Sequence, residues 1–149
     1  MNNVSALRQQ LKPEAEKLGV KLSYMPILIK AASIALRDFT ILNSSLSADE
    51  SEIIYKASHN IGLAMDTPNG LVVPNIKDVQ DKSILEIAVD LNALQAKGVA
   101  GKLGPADLTG GTFTLSNIGP STANRSTVSG AAALLTRSPG RRLPLFAPV

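Results

Sequence analysis

Along the first part of the chain, apolar residues recur at helical spacing. Val4, Leu7, Leu11, Ala15 and Leu18 make one stripe, with Arg8, Lys12, Glu16 and Lys17 off it, the period of a helix with one buried face. Pro13 falls inside that pattern. Proline withholds a backbone donor and costs a helix interior about 3 kcal/mol. The pattern therefore predicts either a kinked helix over residues 3–18 or a break near Lys12. Gly19 is the kind of residue that ends a helix in the left-handed conformation. Ser23 is placed to cap a second helix, with Pro26 in its first turn. Residues 27–39 are apolar almost all round, interrupted by Lys30, Ser33 and the pair Arg37-Asp38. Such a helix is expected to lie buried between layers.

The pattern then shortens to that of strands. Residues 41–46, 53–56, 61–65 and 71–73 read as strands, with an acidic turn at 47–51. Asp66-Thr67-Pro68-Asn69-Gly70 is a hairpin signal between the last two. Ser83-Ile84-Leu85-Glu86 has the spacing of a capping box. Ile84, Ile87, Ala88, Leu91 and Leu94 follow on one helical face, and Gly98 reads as its close. Residues 102–108 read as a loop with one helical turn. Gly110-Gly111 permits a turn, and Thr112-Phe113-Thr114-Leu115 alternates as a half-buried strand does. Ser116 ends that strand, just before Asn117 and Gly119. By spacing alone it reads as a turn residue; the sharper alternative is a hydroxyl at the mouth of a site, donating to developing negative charge.

Composition narrows the class. At 149 residues, 44% of them hydrophobic and 3% aromatic, the chain suits one domain with an aliphatic core. It has no cysteine, hence no disulfide framework and no thiolate metal site; no metal site is expected. No apolar run reaches membrane-spanning length, and no signal or transit peptide is read at the start. The net charge of +3 is unevenly spread. Residues 1–119 carry 11 basic and 12 acidic side chains, whereas residues 120–149 carry four arginines and no acid. Those last residues also hold four prolines and seven Ser/Thr, a composition that tends towards disorder. The change of residue habit after Gly119 suggests a foreign reading frame or an alternative exon. Sparse arginines without aromatic partners do not make a nucleic-acid surface.

Three segments resemble a known family. Asp107-Leu108-Thr109-Gly110-Gly111-Thr112-Phe113-Thr114-Leu115-Ser116-Asn117-Ile118-Gly119 looks like a signature of the 2-oxoacid dehydrogenase acyltransferase catalytic domain. Tyr55-Lys56-Ala57-Ser58-His59-Asn60-Ile61-Gly62-Leu63-Ala64-Met65-Asp66-Thr67 and Gly70-Leu71-Val72-Val73-Pro74-Asn75 are similar to its branched-chain member, the dihydrolipoyl transacylase type. The resemblance runs from about Val4 to Gly119 and stops at Pro120. It divides the chain into 1–119, the N-terminal part of the catalytic domain, and 120–149, a divergent tail.

The resemblance implies an α/β fold, part of a chloramphenicol-acetyltransferase-like two-layer sandwich with a mixed sheet, assembled as trimers with the site between neighbours. It implies acyl transfer between coenzyme A and dihydrolipoamide, the lipoyl group being carried by a separate domain. It implies a mitochondrial matrix or bacterial cytoplasmic setting. Matched motif by motif, the coenzyme contacts fall on Arg8, Ser23, Asp66, Gln95 and Ser116, with Arg8 answering phosphate, and Ser116 supports the oxyanion. Arg8 and Gln95 read equally as solvated helix residues. The family's base is the histidine of a His-x-x-x-Asp-Gly motif, which these 149 residues do not contain. His59, the sole histidine, matches a position that is not the base and reads as a packing or hydrogen-bonding residue. Two expectations follow: an acyltransferase of the branched-chain kind, or a non-catalytic fragment that binds coenzyme A or joins full-length subunits. Alone, the chain is expected to be inactive.

Overall fold

The structure, a computed structural model, describes residues 2–68 and 70–116; the expected tail at 120–149 lies outside them. Helix α1 spans Asn2–Lys17 and runs through Pro13 without a break, so only the bond to the Gln9 carbonyl is forgone. It ends as the sequence predicts. Gly19, at φ +67°, lets its own N–H reach the Glu16 carbonyl and that of Val20 reach Ala15, the Schellman pattern. Helix α2 spans Met25–Asp38. Tyr24 is the assigned cap residue and makes no side-chain cap bond; the Ser23 hydroxyl, one residue earlier, accepts from the Met25 N–H at 3.3 Å and so satisfies a first-turn donor as expected. Pro26 at the second helical position leaves no N–H there to receive a cap.

Residues 40–43 form a 3₁₀ turn rather than the start of a strand. The Ser44 hydroxyl donates to the Ile41 carbonyl at 2.6 Å, a local bond that competes with a ladder, and buried Asn43 donates to the Lys56 and Ser58 carbonyls. Strands β1 (Ser44–Leu46) and β2 (Ile53–Tyr55) then pair antiparallel. Asp49 in their turn accepts from the Ser47 and Ser51 hydroxyls, which lower its pKa to about 2.

The central strand is β3 (Ile61–Leu63), antiparallel to β6 (Asn75–Ile76) on one side and parallel to β7 (Phe113–Leu115) on the other. Strands β4 (Met65–Thr67) and β5 (Gly70–Val72) form the expected hairpin tip. The predicted single strand 61–65 is thus divided at Ala64. The pairings Ile61↔Ile76, Gly62↔Asn75 and Met65↔Val72 nonetheless keep one register, so β3–β4 and β5–β6 are two parts of a single hairpin. Pro74 explains the gap: opposite Leu63, its carbonyl accepts from the Leu63 N–H at 2.9 Å, but it has no N–H to return.

Helix α3 spans Ile84–Val99 with both bonds of the capping box formed. Gly98 lies inside it, and Gly101 at φ +65° ends it instead; the Gly101 and Lys102 N–H groups reach Gly98 and Lys97. A short α4, Pro105–Leu108, leads to β7. Helices α2 and α3 pack on each other and on one sheet face, around Ile29, Leu36, Ile61, Leu63, Ile76, Ile87, Leu91 and Leu94. A second cluster joins α1 to α3 through Ala15, Leu22 and Ala88. Helix α2 is not covered on all sides as its composition predicts: Leu28 and Ile34 stay 47% and 46% exposed among the described residues.

Candidate functional site

Two groups of candidate residues emerge, one on the helices and one on the sheet. On the helical side, the Arg8 Nε donates to the Leu22 carbonyl at 2.9 Å, and its guanidinium lies 5.0 Å from the centre of the Tyr24 ring. These contacts fix a cation that lines a cleft of about 320 Å³ together with Lys12, Glu16, Lys21 and Leu22, the Lys12 and Glu16 side chains pairing at 3.6 Å. Three cations against one carboxylate favour an anionic guest. Ser23 follows Leu22 and so sits beside this group. Lys12 and Lys21 lie outside the motif-matched set, although Lys12 stands one turn after Arg8 and so shares its helix face.

On the sheet, alternation decides the faces. Ile61, Leu63, Met65, Phe113 and Leu115 pack towards the helices, so Gly62, Ala64, Asp66, Thr114 and Ser116 face away. The Ala64 N–H donates to the Leu115 carbonyl at 3.2 Å, which carries the parallel ladder one step past β7 and sets Ser116 beside Ala64. Asp66 is two residues further along the same face. Both side chains are exposed, and among the described residues neither holds a hydrogen bond. Gln95, exposed on α3, is also without one among the described residues. It stands between two contacts of its helix: Asn92, which donates to the Lys21 carbonyl at 3.2 Å, and Gly98, where an added Cβ would meet Thr67 at 3.5 Å. The structure thus brings Arg8 to Ser23 and Asp66 to Ser116, with Gln95 on the helix that touches both groups.

The approach to Ser116 is fixed by side-chain amides. Asn75 donates to the Asp107 and Thr109 carbonyls at 3.2 and 3.1 Å, Asn60 donates to Gly110 at 2.8 Å, and Lys77 donates to Thr109. The Asp107 carboxylate accepts from the Gly104 N–H and from Lys97, and those two bonds, the first above all, hold its pKa down.

His59 is remote from this chemistry. Its ring is buried, and Nδ1 lies 2.8 Å from the Ser33 hydroxyl of α2. It precedes β3, whereas Ser116 follows the parallel β7, so the two stand at opposite ends of the strand pair. Burial, then the Arg37 charge, lowers its pKa. Among the described residues, no group of His, Asp and Glu side chains is arranged to hold a metal ion, and no helix is long and apolar enough to cross a membrane.

A mixed sheet with helices packed on one face is consistent with the chloramphenicol-acetyltransferase-like fold that the resemblance implies. The family model of the 2-oxoacid dehydrogenases acyltransferase (catalytic domain) matches residues 1–128, and the chain belongs to that family. It is 60% identical over 113 residues to the mitochondrial lipoamide acyltransferase component of the mouse (Mus musculus) branched-chain alpha-keto acid dehydrogenase complex, covering 76% of this chain and 23% of that protein. It is 42% identical over 119 residues to the dihydrolipoyllysine-residue acetyltransferase component of the Bacillus subtilis pyruvate dehydrogenase complex, covering 80% of this chain and 27% of that one. Among solved structures, it superposes at TM-score 0.75 and 40% identity on Azotobacter vinelandii dihydrolipoamide acetyltransferase, over 78% of this chain and 48% of the other. In that enzyme the catalytic roles of a serine, a histidine and an asparagine were investigated. The cubic core of a pyruvate dehydrogenase complex gives TM-score 0.73 at 39% identity, over 76% and 47%. The chain therefore spans about a quarter of the length of these curated relatives and about half of the solved chains.

Proposed function

We propose that this chain contributes the coenzyme side of an acyl transfer between coenzyme A and dihydrolipoamide. One observation carries the reading: the Ser116 and Asp66 side chains stand on one open sheet face, exposed and unpartnered among the described residues. In this reading the Arg8 cleft takes the phosphates, Ser23, Asp66 and Gln95 hold the amide-bearing arm, and Ser116 donates to the thioester oxyanion. The residues fit the coenzyme, since the anchored Arg8 and the neighbouring Lys12 and Lys21 match its charge. The lipoyl group comes from another domain. The setting proposed is the mitochondrial matrix for a eukaryotic source, as for the mouse relative, and the cytoplasm for a bacterial one.

Deprotonation of the attacking thiol needs a base. The sole histidine of the sequence is bonded to Ser33 instead, so in this proposal an intact family subunit supplies the base. The exposed apolar positions of α2 and of the β1–β2 hairpin, among them Leu28, Ile34, Leu46 and Ile54, suit a chain that assembles with others.

Calorimetric titration with coenzyme A tests the coenzyme part of the reading. Saturable binding is expected, with Arg8→Gln weakening it about tenfold or more, as loss of a charge-assisted bond does. Absent binding, or binding untouched by Arg8→Gln, would overturn the assignment.

A further inference from the structure

We infer that Ala64 and Val73 form the rest for the acyl group beside Ser116 and set which acyl groups the site accepts, an inference that relies on the coenzyme reading above. The unbroken hairpin register that pairs Gly62 with Asn75 and Met65 with Val72 puts Val73 opposite Ala64. On the other side of the same strand, the pairing Leu63↔Leu115 and the bond from the Ala64 N–H to Leu115 put Ser116 opposite Ala64. Val73, Ala64 and Ser116 therefore form one row across three adjacent chain segments, neighbours about 4.8 Å apart. The row lies on the face turned away from the helices. Only a methyl group stands between the Val73 side chain and the Ser116 hydroxyl.

The row is bounded along the strands. One step back, a Cβ on Gly62 would lie 3.0 Å from Val73 Cγ1 and 3.1 Å from Thr114 Oγ1, so those two side chains flank the bare backbone of Gly62 and narrow that end. One step forward stands exposed Asp66, which leaves the other end open. The result is a shallow trough floored by Ala64, with an aliphatic wall at Val73 and hydroxyls at Thr114 and Ser116. A thioester whose oxygen accepts from Ser116 lays its acyl chain over Ala64 against Val73. A short branched alkyl group then buries its methyls on that wall, at about fourfold in affinity per carbon. The free thiol of coenzyme A leaves the trough empty. Gly62 acts as a positioning residue, because only a bare backbone lets Val73 and Thr114 settle so low.

The test is calorimetric titration of the 149-residue protein and its variants with coenzyme A, acetyl-coenzyme A and isobutyryl-coenzyme A, folding being checked by circular dichroism. The wild type is expected to bind the isobutyryl form several-fold tighter than coenzyme A. Ala64→Val, which fills the floor, is expected to abolish that preference, and Val73→Ala to cut it about fourfold, with coenzyme A itself unchanged. Val73→Thr keeps the shape of the wall but makes it polar; it is expected to lose part of the preference, and it decides the matter if Ala64→Val does not fold. Folded variants that shift all three ligands equally, or leave the preference intact, would overturn the inference. A wild type that binds acyl forms and coenzyme A alike would do the same. A wild type that binds none of the three would remove the coenzyme reading and this inference together.

Discussion

Helices α2 and α3 are similar in length and pack on each other, yet they are finished to different degrees. In α3 the apolar stripe Ile87, Ala88, Leu91 and Leu94 is buried, and the outer face mixes the charged Glu86 and Lys97 with exposed Val89 and Val99. In α2 the inner face, Ile27, Ile29, Ser33 and Leu36, is equally buried, but the outer face is apolar as well, with Leu28, Ala31, Ile34 and Ala35 exposed. An amphipathic helix carries in its own sequence the side that meets water. The outer face of α2 carries Leu28 and Ile34 between its polar ends, an apolar patch that the described residues do not cover. The difference is one of degree: α2 exposes the larger Leu28 and Ile34 in mid-helix, whereas the apolar residues exposed on α3, Val89 and Val99, alternate with charged and polar ones; the proposed assembly puts its contact on α2.

The sharpest way to break this comparison is truncation of one residue from each helix. Leu91→Ala, at a site only 1% exposed, is expected to cost about 2–5 kcal/mol. Ile34→Ala is expected to stay within about 1 kcal/mol in the isolated protein. Urea unfolding measures both, and equal losses would mean that α2 is covered after all. A smaller effect is expected where α2 meets the strands. Ser33→Ala leaves His59 Nδ1 without its hydroxyl partner and should cost about 1–3 kcal/mol.

The same histidine gives a dependence on pH. Burial first, then the positive charges of Arg37 and Lys30 on α2, lower its pKa against the opposing pull of Asp81. The unfolded chain then binds the proton more readily than the folded one. Stability is complete above the unfolded pKa of about 6.5 and falls as pH drops below it towards the folded pKa. Unfolding at pH 7.5 and 5.5 should show the loss, and His59→Gln should flatten it; a wild type equally stable at both would refute this. The smallest effect concerns α3 itself: Ser83→Ala removes an acceptor from its capping box, at about 1 kcal/mol, read from the same urea curves.

What could be read in advance was local. The capping box at Ser83, the turn at Gly19, the hairpin around Asp66 and the alternation ahead of Ser116 each rest on residues a few positions apart, and the structure has all of them. The misplacements have separate causes. Gly98 stands inside α3 and not at its end, because Gly101 three residues later takes the left-handed conformation. Ser23 lies one residue before the assigned cap, Tyr24, and its hydroxyl accepts from the Met25 N–H. The strand at 61–65 divides because Pro74, nine residues beyond it in sequence, lies across from Leu63. For the proposed site, Arg8, Asp66 and Ser116 were picked out by the family resemblance and not by periodicity or spacing. That Arg8 is held by Leu22 and Tyr24, and that Val73 faces Ser116 across Ala64, depends on register and packing between distant segments, which periodicity does not carry.

The central claim is that this chain brings the serine and the coenzyme contacts while another subunit brings the base. It is tested most directly by measuring acyl transfer from acyl-coenzyme A to dihydrolipoamide, with the 149-residue protein alone and mixed with an intact family subunit whose own oxyanion serine has been replaced by alanine. The account predicts a rate no higher than buffer for the protein alone, and a rate in the mixture well above that of the serine-less subunit, lost again with Ser116→Ala. Turnover by the protein alone, or no gain on mixing, would contradict it.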